Sequence, residues 1–101
     1  MSMQPQVSDL PERHRFEAQV DGELAGYLMY RRDGGQVTLV HTEVKPRFEG
    51  HGVGSLLARA ALGQARAQGC AVLPLCPFIS QWLQRHPEYL DLVEGTASPN
   101  R

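Results

Sequence analysis

From Phe16 onward the chain alternates: Phe16, Ala18 and Val20 are apolar and Glu17 and Gln19 lie between them, the period-two pattern of a half-buried strand beginning near Arg15. Asp21-Gly22 is a two-residue hairpin signal, a second strand over 24–31 answers it, and Asp33-Gly34-Gly35 turns the chain again. A third strand runs Val37-Thr38-Leu39-Val40 and on through His41-Thr42-Glu43-Val44, so the three predict an antiparallel meander. Unbroken alternation along it sets Val37, Leu39, His41 and Glu43 on one face and Thr38, Val40, Thr42 and Val44 on the other.

Beyond Pro46 the period changes. Gly50, Gly52 and Gly54 stand two apart and give way to an Ala/Leu run in which Val53, Leu56, Leu57, Ala60 and Ala61 recur at helical spacing; Arg59 and Arg66 fall outside that stripe. A helix is predicted over 54–68, with Gly69 as its C-cap. The segment 70–75 is a short strand, most simply parallel to the third because a helical crossover separates them, and Pro74 confines it to an edge or a strand end. Residues 79, 82, 83 and 86 share one side of a short second helix that Pro87 stops. The fold class is α/β (α+β), a mixed sheet: an antiparallel three-stranded meander, a helix, a parallel strand and a short C-terminal helix. Residues 15–91 read as a single domain, 1–14 as a flexible N-terminal arm and 92–101 as a flexible tail.

Strand, glycine loop and helix in succession make a seat for a phosphate or pyrophosphate, because glycines let backbone N–H groups approach a ligand and the helix start has unpaired donors and partial positive charge. The same glycines would also serve a plain turn and helix start. A Walker loop is excluded, since no Lys follows any glycine. A dinucleotide fingerprint fits poorly: Gly50-His51-Gly52-Val53-Gly54-Ser55 lacks the last glycine, and residues 70–74 offer no acid for a ribose.

Composition narrows the classes. A chain of 101 residues suits one domain, and Lys+Arg 10 against Asp+Glu 11 gives a net charge of -1, with no electrostatic case for nucleic acid or a membrane surface. No apolar run approaches the roughly twenty residues of a membrane span. Two cysteines without a secretory leader point to a reduced, cytoplasmic protein. Cys70 and Cys76 stand roughly 20 Å apart if the segment is extended, at about 3.3 Å per residue, too far to bridge. No metal-ligand spacing occurs.

His41 and Glu43 share a face at the strand end where the glycine loop begins, and either could take a proton from an amine; the pair would equally serve as a hydrogen-bonded structural His and a solvated Glu.

The run Arg47-Phe48-Glu49-Gly50-His51-Gly52-Val53-Gly54, followed by Ser55-Leu56-Leu57, resembles the acyl-CoA loop of the GNAT N-acetyltransferase superfamily, Arg/Gln-x-x-Gly-x-Gly/Ala. With His41-Thr42-Glu43-Val44, Pro74-Leu75-Cys76-Pro77-Phe78 and Arg85-His86-Pro87-Glu88-Tyr89, it is similar to the small GNAT-like acetyltransferases, over roughly residues 16–89. Glu49 is read as standing where the pattern carries Arg or Gln, and an acid there should repel a pyrophosphate unless it faces solvent.

The resemblance implies transfer of an acetyl group from acetyl-CoA, without a metal, to an amine on a small molecule or a protein. It implies a cofactor loop of Val44, Gly50, His51, Gly52, Val53, Gly54 and Ser55, and a pantetheine arm inserted between splayed parallel strands, with the thioester near His41, Glu43 and Cys76. Cys76 would then be a covalent nucleophile or a residue that shapes the pocket, and Tyr89 is by chain order the acid for the departing thiolate. The alternative is a non-catalytic CoA-binding or protein-interaction module on the same fold.

Overall fold

The computed structural model describes residues 5–93. The predicted meander is present as β2 (Arg15–Val20), β3 (Glu23–Asp33) and β4 (Gln36–Val44), paired antiparallel through the Asp21-Gly22 and Gly34-Gly35 turns. The helix α1 (Val53–Gln68) crosses back, and β5 (Ala71–Pro74) pairs parallel to β4, Gln36 opposite Ala71 and Leu39 opposite Pro74. The helix α2 (Pro77–Arg85) follows, and a 3₁₀ turn over Pro87–Leu92 leads to a single bridge between Val93 and Val72.

One expectation changes at the N-terminus. Gln6–Leu10, expected within a flexible arm, form a further strand, β1, antiparallel to β2, so the sheet order is β1-β2-β3-β4-β5. Its composition is weakly β-forming, and its order comes from contacts distant in sequence. The Asp9 carboxylate accepts hydrogen bonds from the Tyr30 hydroxyl on β3 and from Gln64 on α1 at 2.8 Å, with Arg32 at 3.5 Å. The expected tail falls on residues 94–101, outside the described residues, apart from Leu92 and Val93.

One face of the sheet packs on α1 and α2 around Leu28, Leu39, Leu57, Leu62, Val72 and Ile79, all fully buried. The buried positions of α1 are Val53, Gly54, Leu57, Ala58, Ala61, Leu62 and Ala65, while Leu56 and Ala60 are half-exposed; the stripe lies further round than predicted. Small residues at 54, 58 and 61 present no bulk, which lets two adjacent i, i+4 rows meet the sheet. Helix α2 buries Ile79, Trp82 and Leu83 as its spacing predicts. Among the described residues no helix is long and apolar enough to cross a membrane, no cluster of His, Cys, Asp and Glu could hold a metal ion, and both cysteines are free.

A β-bulge governs what β4 presents. Met29 lies opposite His41 but Tyr30 lies opposite Leu39, so Val40 is an extra residue in β4. Side chains alternate along a strand, and one extra residue reverses the parity of all that follow. Thr42 and Val44 therefore join the core side with Leu39, and His41 and Glu43 turn to the opposite face, where their side chains are 52% and 50% exposed. The expectation that His41 and Glu43 share a face holds; the expectation that Val37 and Leu39 share it with them does not.

Gly26 on β3 lies opposite Val44 at the last rung of this pairing, where a methyl group would stand 2.6 Å from the Glu43 carbonyl oxygen and 3.3 Å from Val53. Gly26→Ala is therefore expected to force β3 and β4 apart beside the glycine loop and to lower stability by about 1–3 kcal/mol. Urea unfolding of the two proteins checks this, and equal midpoints would mean that the approach is not tight.

Candidate active site

The site begins where β4 and β5 part. Pairing ends at Leu39 and Pro74, and the Leu39 carbonyl accepts the N–H groups of both Leu75 and Cys76 at 3.0 Å. Pro74 cannot donate to a ladder, and Pro77 starts α2, so the chain leaves the sheet while β4 continues to Val44. Residues 40–44 thus present a strand edge unpaired on the β5 side among the described residues. Across the gap the Cys76 thiol, 2% exposed, donates to the Thr42 hydroxyl at 3.3 Å.

The glycine loop lies at the end of that edge. A 3₁₀ turn over Pro46–Phe48 buries Phe48, and the chain passes through Gly50 (φ 83°) and Gly52 (φ 79°) into α1. Gly52 is the N-cap, a left-handed conformation that a β-branched residue adopts only under strain. The first helical bond recorded here is from Leu56 N–H to the Gly52 carbonyl, so the N–H groups of Val53, Gly54 and Ser55 belong to the orphan donors of the first turn. Among the described residues no side chain caps them, and the first turn holds no acid. Unpaired donors and partial positive charge thus point outward together.

They open on a pocket of about 260 Å³ between the loop and α2, whose far wall is Phe78, Trp82 and Arg85. The wall is tied to the helix start by the Trp82 indole N–H, which donates to the Ser55 hydroxyl at 2.7 Å. A methyl group on Gly54 would stand 2.7 Å from the Phe78 ring, so only glycine lets the ring lie against the first turn. Glu49 also lines the pocket, and Arg85 supplies a cation to the same lining. The register given above for the loop pattern is corrected here: counted back from Gly50 and Gly52, the Arg or Gln position is Arg47, and Glu49 replaces neither. The Arg47 guanidinium is held by Glu23 at 2.8 and 2.9 Å and lies over the Phe48 ring.

On the other face the Tyr27 hydroxyl donates to Glu43 Oε1 at 3.1 Å, and His41 Nε2 meets the same oxygen at 3.4 Å. These two bonds, Tyr27 first, hold the Glu43 carboxyl below its usual range. In return the bond to Glu43 pushes the Tyr27 phenol up, with burial adding to it.

Of the residues singled out in the sequence, Val44, Gly50, Gly52, Val53, Gly54 and Ser55 line the pocket. His51 is exposed in the loop outside the lining, and Cys76 sits in the gap between the strands. Tyr89 is not brought to the site: its ring packs behind Trp82, 5.6 Å between centroids, with the Arg66 guanidinium over it. Thr42, Tyr27 and the α2 wall were not anticipated. The turn at Gly34-Gly35 gave a signal for a Tyr27 pairing, but carried without a bulge that register sets Tyr27 opposite Thr42 instead of Glu43.

Residues 15–92 match the sequence profile of the GCN5-related N-acetyl-transferase family. Among solved structures, a GCN5-like protein from Staphylococcus aureus superposes with a TM-score of 0.70 at 22% identity, covering 93% of this chain and 92% of that one. Nourseothricin acetyltransferase gives a TM-score of 0.55 at 27% identity over 85% of this chain and 58% of its own. N-acetylglutamate synthase from Neisseria gonorrhoeae, solved with coenzyme A and N-acetyl-glutamate, gives 0.60 at 18% identity over 72% of this chain and 18% of its own. With a strand–glycine loop–helix corner where two parallel strands separate, and a profile match over most of its length, the chain belongs to the GCN5-related N-acetyltransferase family.

Proposed function

We propose that the protein is an acetyl-CoA-dependent N-acetyltransferase acting on an amine by direct transfer. The observation that carries this is the uncapped, acid-free start of α1, which opens on the pocket beside the unpaired edge of β4. The residues fit the cosubstrate: the N–H groups of Val53, Gly54 and Ser55 suit a pyrophosphate, Arg85 adds a cation, and the β4 edge offers backbone partners to an extended amide-bearing arm. Coenzyme A bound to N-acetylglutamate synthase, a part of which superposes on this chain, supports the choice of ligand.

When bound, acetyl-CoA supplies a thioester whose carbonyl carbon the amine attacks. The C–N bond forms as the C–S bond breaks, and the proton lost by the nitrogen ends on the departing thiol. An amine attacks only after losing its ammonium proton, and the half-exposed His41–Glu43 pair beside the β4 edge is suited to accept it. Cys76 is read as shaping the gap: it is buried, its recorded side-chain partner is the Thr42 hydroxyl, and a nucleophilic thiol needs a neighbouring base.

Incubation with acetyl-CoA and a panel of amines (a polyamine, an amino sugar and a lysine peptide), followed by thiol release and mass spectrometry, tests the function. Thiol release with an acetylated amine is expected. A rise in melting temperature on adding acetyl-CoA, with no thiol released, would favour a binding module instead. Gly54→Val drives the Phe78 ring off the first turn and is expected to weaken acetyl-CoA binding on the order of tenfold or more, read by calorimetry; unchanged affinity would remove the loop assignment. Cys76→Ala is expected to keep a substantial share of the rate, and acetyl-CoA alone to leave no hydroxylamine-labile acetyl group on Cys76. A labile acetyl-cysteine with a dead variant would establish the covalent route.

A further inference from the structure

The outer face of the sheet carries a row of side chains whose root the proposed function leaves unused. Glu17 on β2 is a carboxylate only 5% exposed, a costly position for a charge unless it is paired. Its partners are Arg15, through Nε at 2.7 Å and Nη2, and Arg13 at 3.5 Å. Arg15 in turn covers the ring of Tyr27, 4.6 Å from its centroid, and the strand register sets Tyr27 between Glu17 on β2 and Glu43 on β4. The phenol is thus fixed by a partly buried ion pair, which aims its hydroxyl at Glu43.

Both donors that reach Glu43, the Tyr27 hydroxyl and His41 Nε2, converge on Oε1, while Oε2 has no hydrogen-bond partner among the described residues. A carboxylate stabilised in its charged form is a poor proton acceptor at neutral pH but a firm hydrogen-bond acceptor. Facing it, the imidazole is favoured with its proton on Nε2, which leaves the lone pair on Nδ1. The titratable and charged groups around this oxygen are Tyr27 from β3, His41 from β4, Lys45 just past β4, and Arg15 from β2 at one remove across the Tyr27 ring. The 3.4 Å separation of His41 and Glu43 is long for a hydrogen bond, so the Tyr27 hydroxyl at 3.1 Å is the firmer of the two holds on Oε1.

We propose that Tyr27 is a positioning residue for acetyl transfer, anchoring Glu43 so that His41 is held with Nε2–H toward the carboxylate and Nδ1 free as the general base. The inference rests on the functional reading above and divides the labour within the pair. In the step it assigns, the ammonium proton of the acceptor passes to Nδ1, giving a neutral amine and an imidazolium that Glu43 stabilises. The imidazolium returns its proton to solvent before the next turnover.

The test uses Tyr27→Phe, which keeps the ring under Arg15 and removes the hydroxyl alone. Carbon NMR of the Glu43 carboxyl is expected to show its titration moving to higher pH, because the largest cause of its lowered position is gone. Nitrogen NMR of the His41 ring is expected to shift from the Nε2–H tautomer toward a mixture. In turnover kcat should fall roughly tenfold, part of the 10²–10⁴ a general base supplies, with KM for acetyl-CoA unchanged. An unmoved Glu43 titration with an unmoved tautomer overturns the proposal, and so does an unchanged kcat. A wild type that binds acetyl-CoA but acetylates no amine overturns the functional reading instead, and is told apart because both NMR readouts are made without turnover.

Discussion

One extra residue in β4 sets which side chains that strand presents on each face of the sheet. Val40 interrupts the pairing of β4 with β3 one position after β5 has stopped pairing on the other side. The bulge sends His41 and Glu43 to the outer face and Thr42 and Val44 inward, and the lost pairing leaves a bare strand edge between the two sets. Without the bulge His41 would point toward the core, where an imidazole needs a partner, and Thr42 would not meet Cys76. The faces that His41, Glu43, Thr42 and Val44 occupy thus follow from a single register shift, and the bare edge beside them from the end of β5 at Pro74.

The remainder of the fold stiffens that corner. Gly26 lets β3 run close under the end of β4, and Trp82 ties α2 to the first turn of α1 through Ser55, so the pocket has two fixed walls. A chain of 101 residues has little core to spare, and it gains order by joining distant elements through polar side chains. Asp9 links β1 to β3 and α1, and Arg66 reaches Asp91 and the Glu88 carbonyl to hold the 3₁₀ turn after α2. The Arg66 bond also holds the Asp91 carboxyl below its usual range.

Much of this was legible in the residues because the signals are local. Alternation gave β2 and β4, Asp21-Gly22 and Gly34-Gly35 gave the turns and β3 between them, helical spacing gave α1 and α2, and the glycines between β4 and α1 gave the loop at that corner. What escaped depends on contacts between segments. The β1 stretch has little strand character of its own and is held by donors from Tyr30 and Gln64; no glycine marks the bulge at Val40, whose presence shows only in the register against β3. Tyr27 followed the bulge, since its partner is one residue away from the one an unbroken hairpin assigns. Tyr89 was placed by order along the chain, and order says nothing about Trp82 standing in front of it.

The bare edge of β4 and the start of α1 together are proposed to bind acetyl-CoA. Amide nitrogen–proton NMR spectra of the labelled protein, recorded as coenzyme A is added, test it most directly. The account predicts that the largest shifts fall on the amides of Gly50 to Ser55 and on residues 40–44, with β1 and the outer turns unmoved. Shifts absent from both segments at saturating coenzyme A, or centred on another surface, would contradict it.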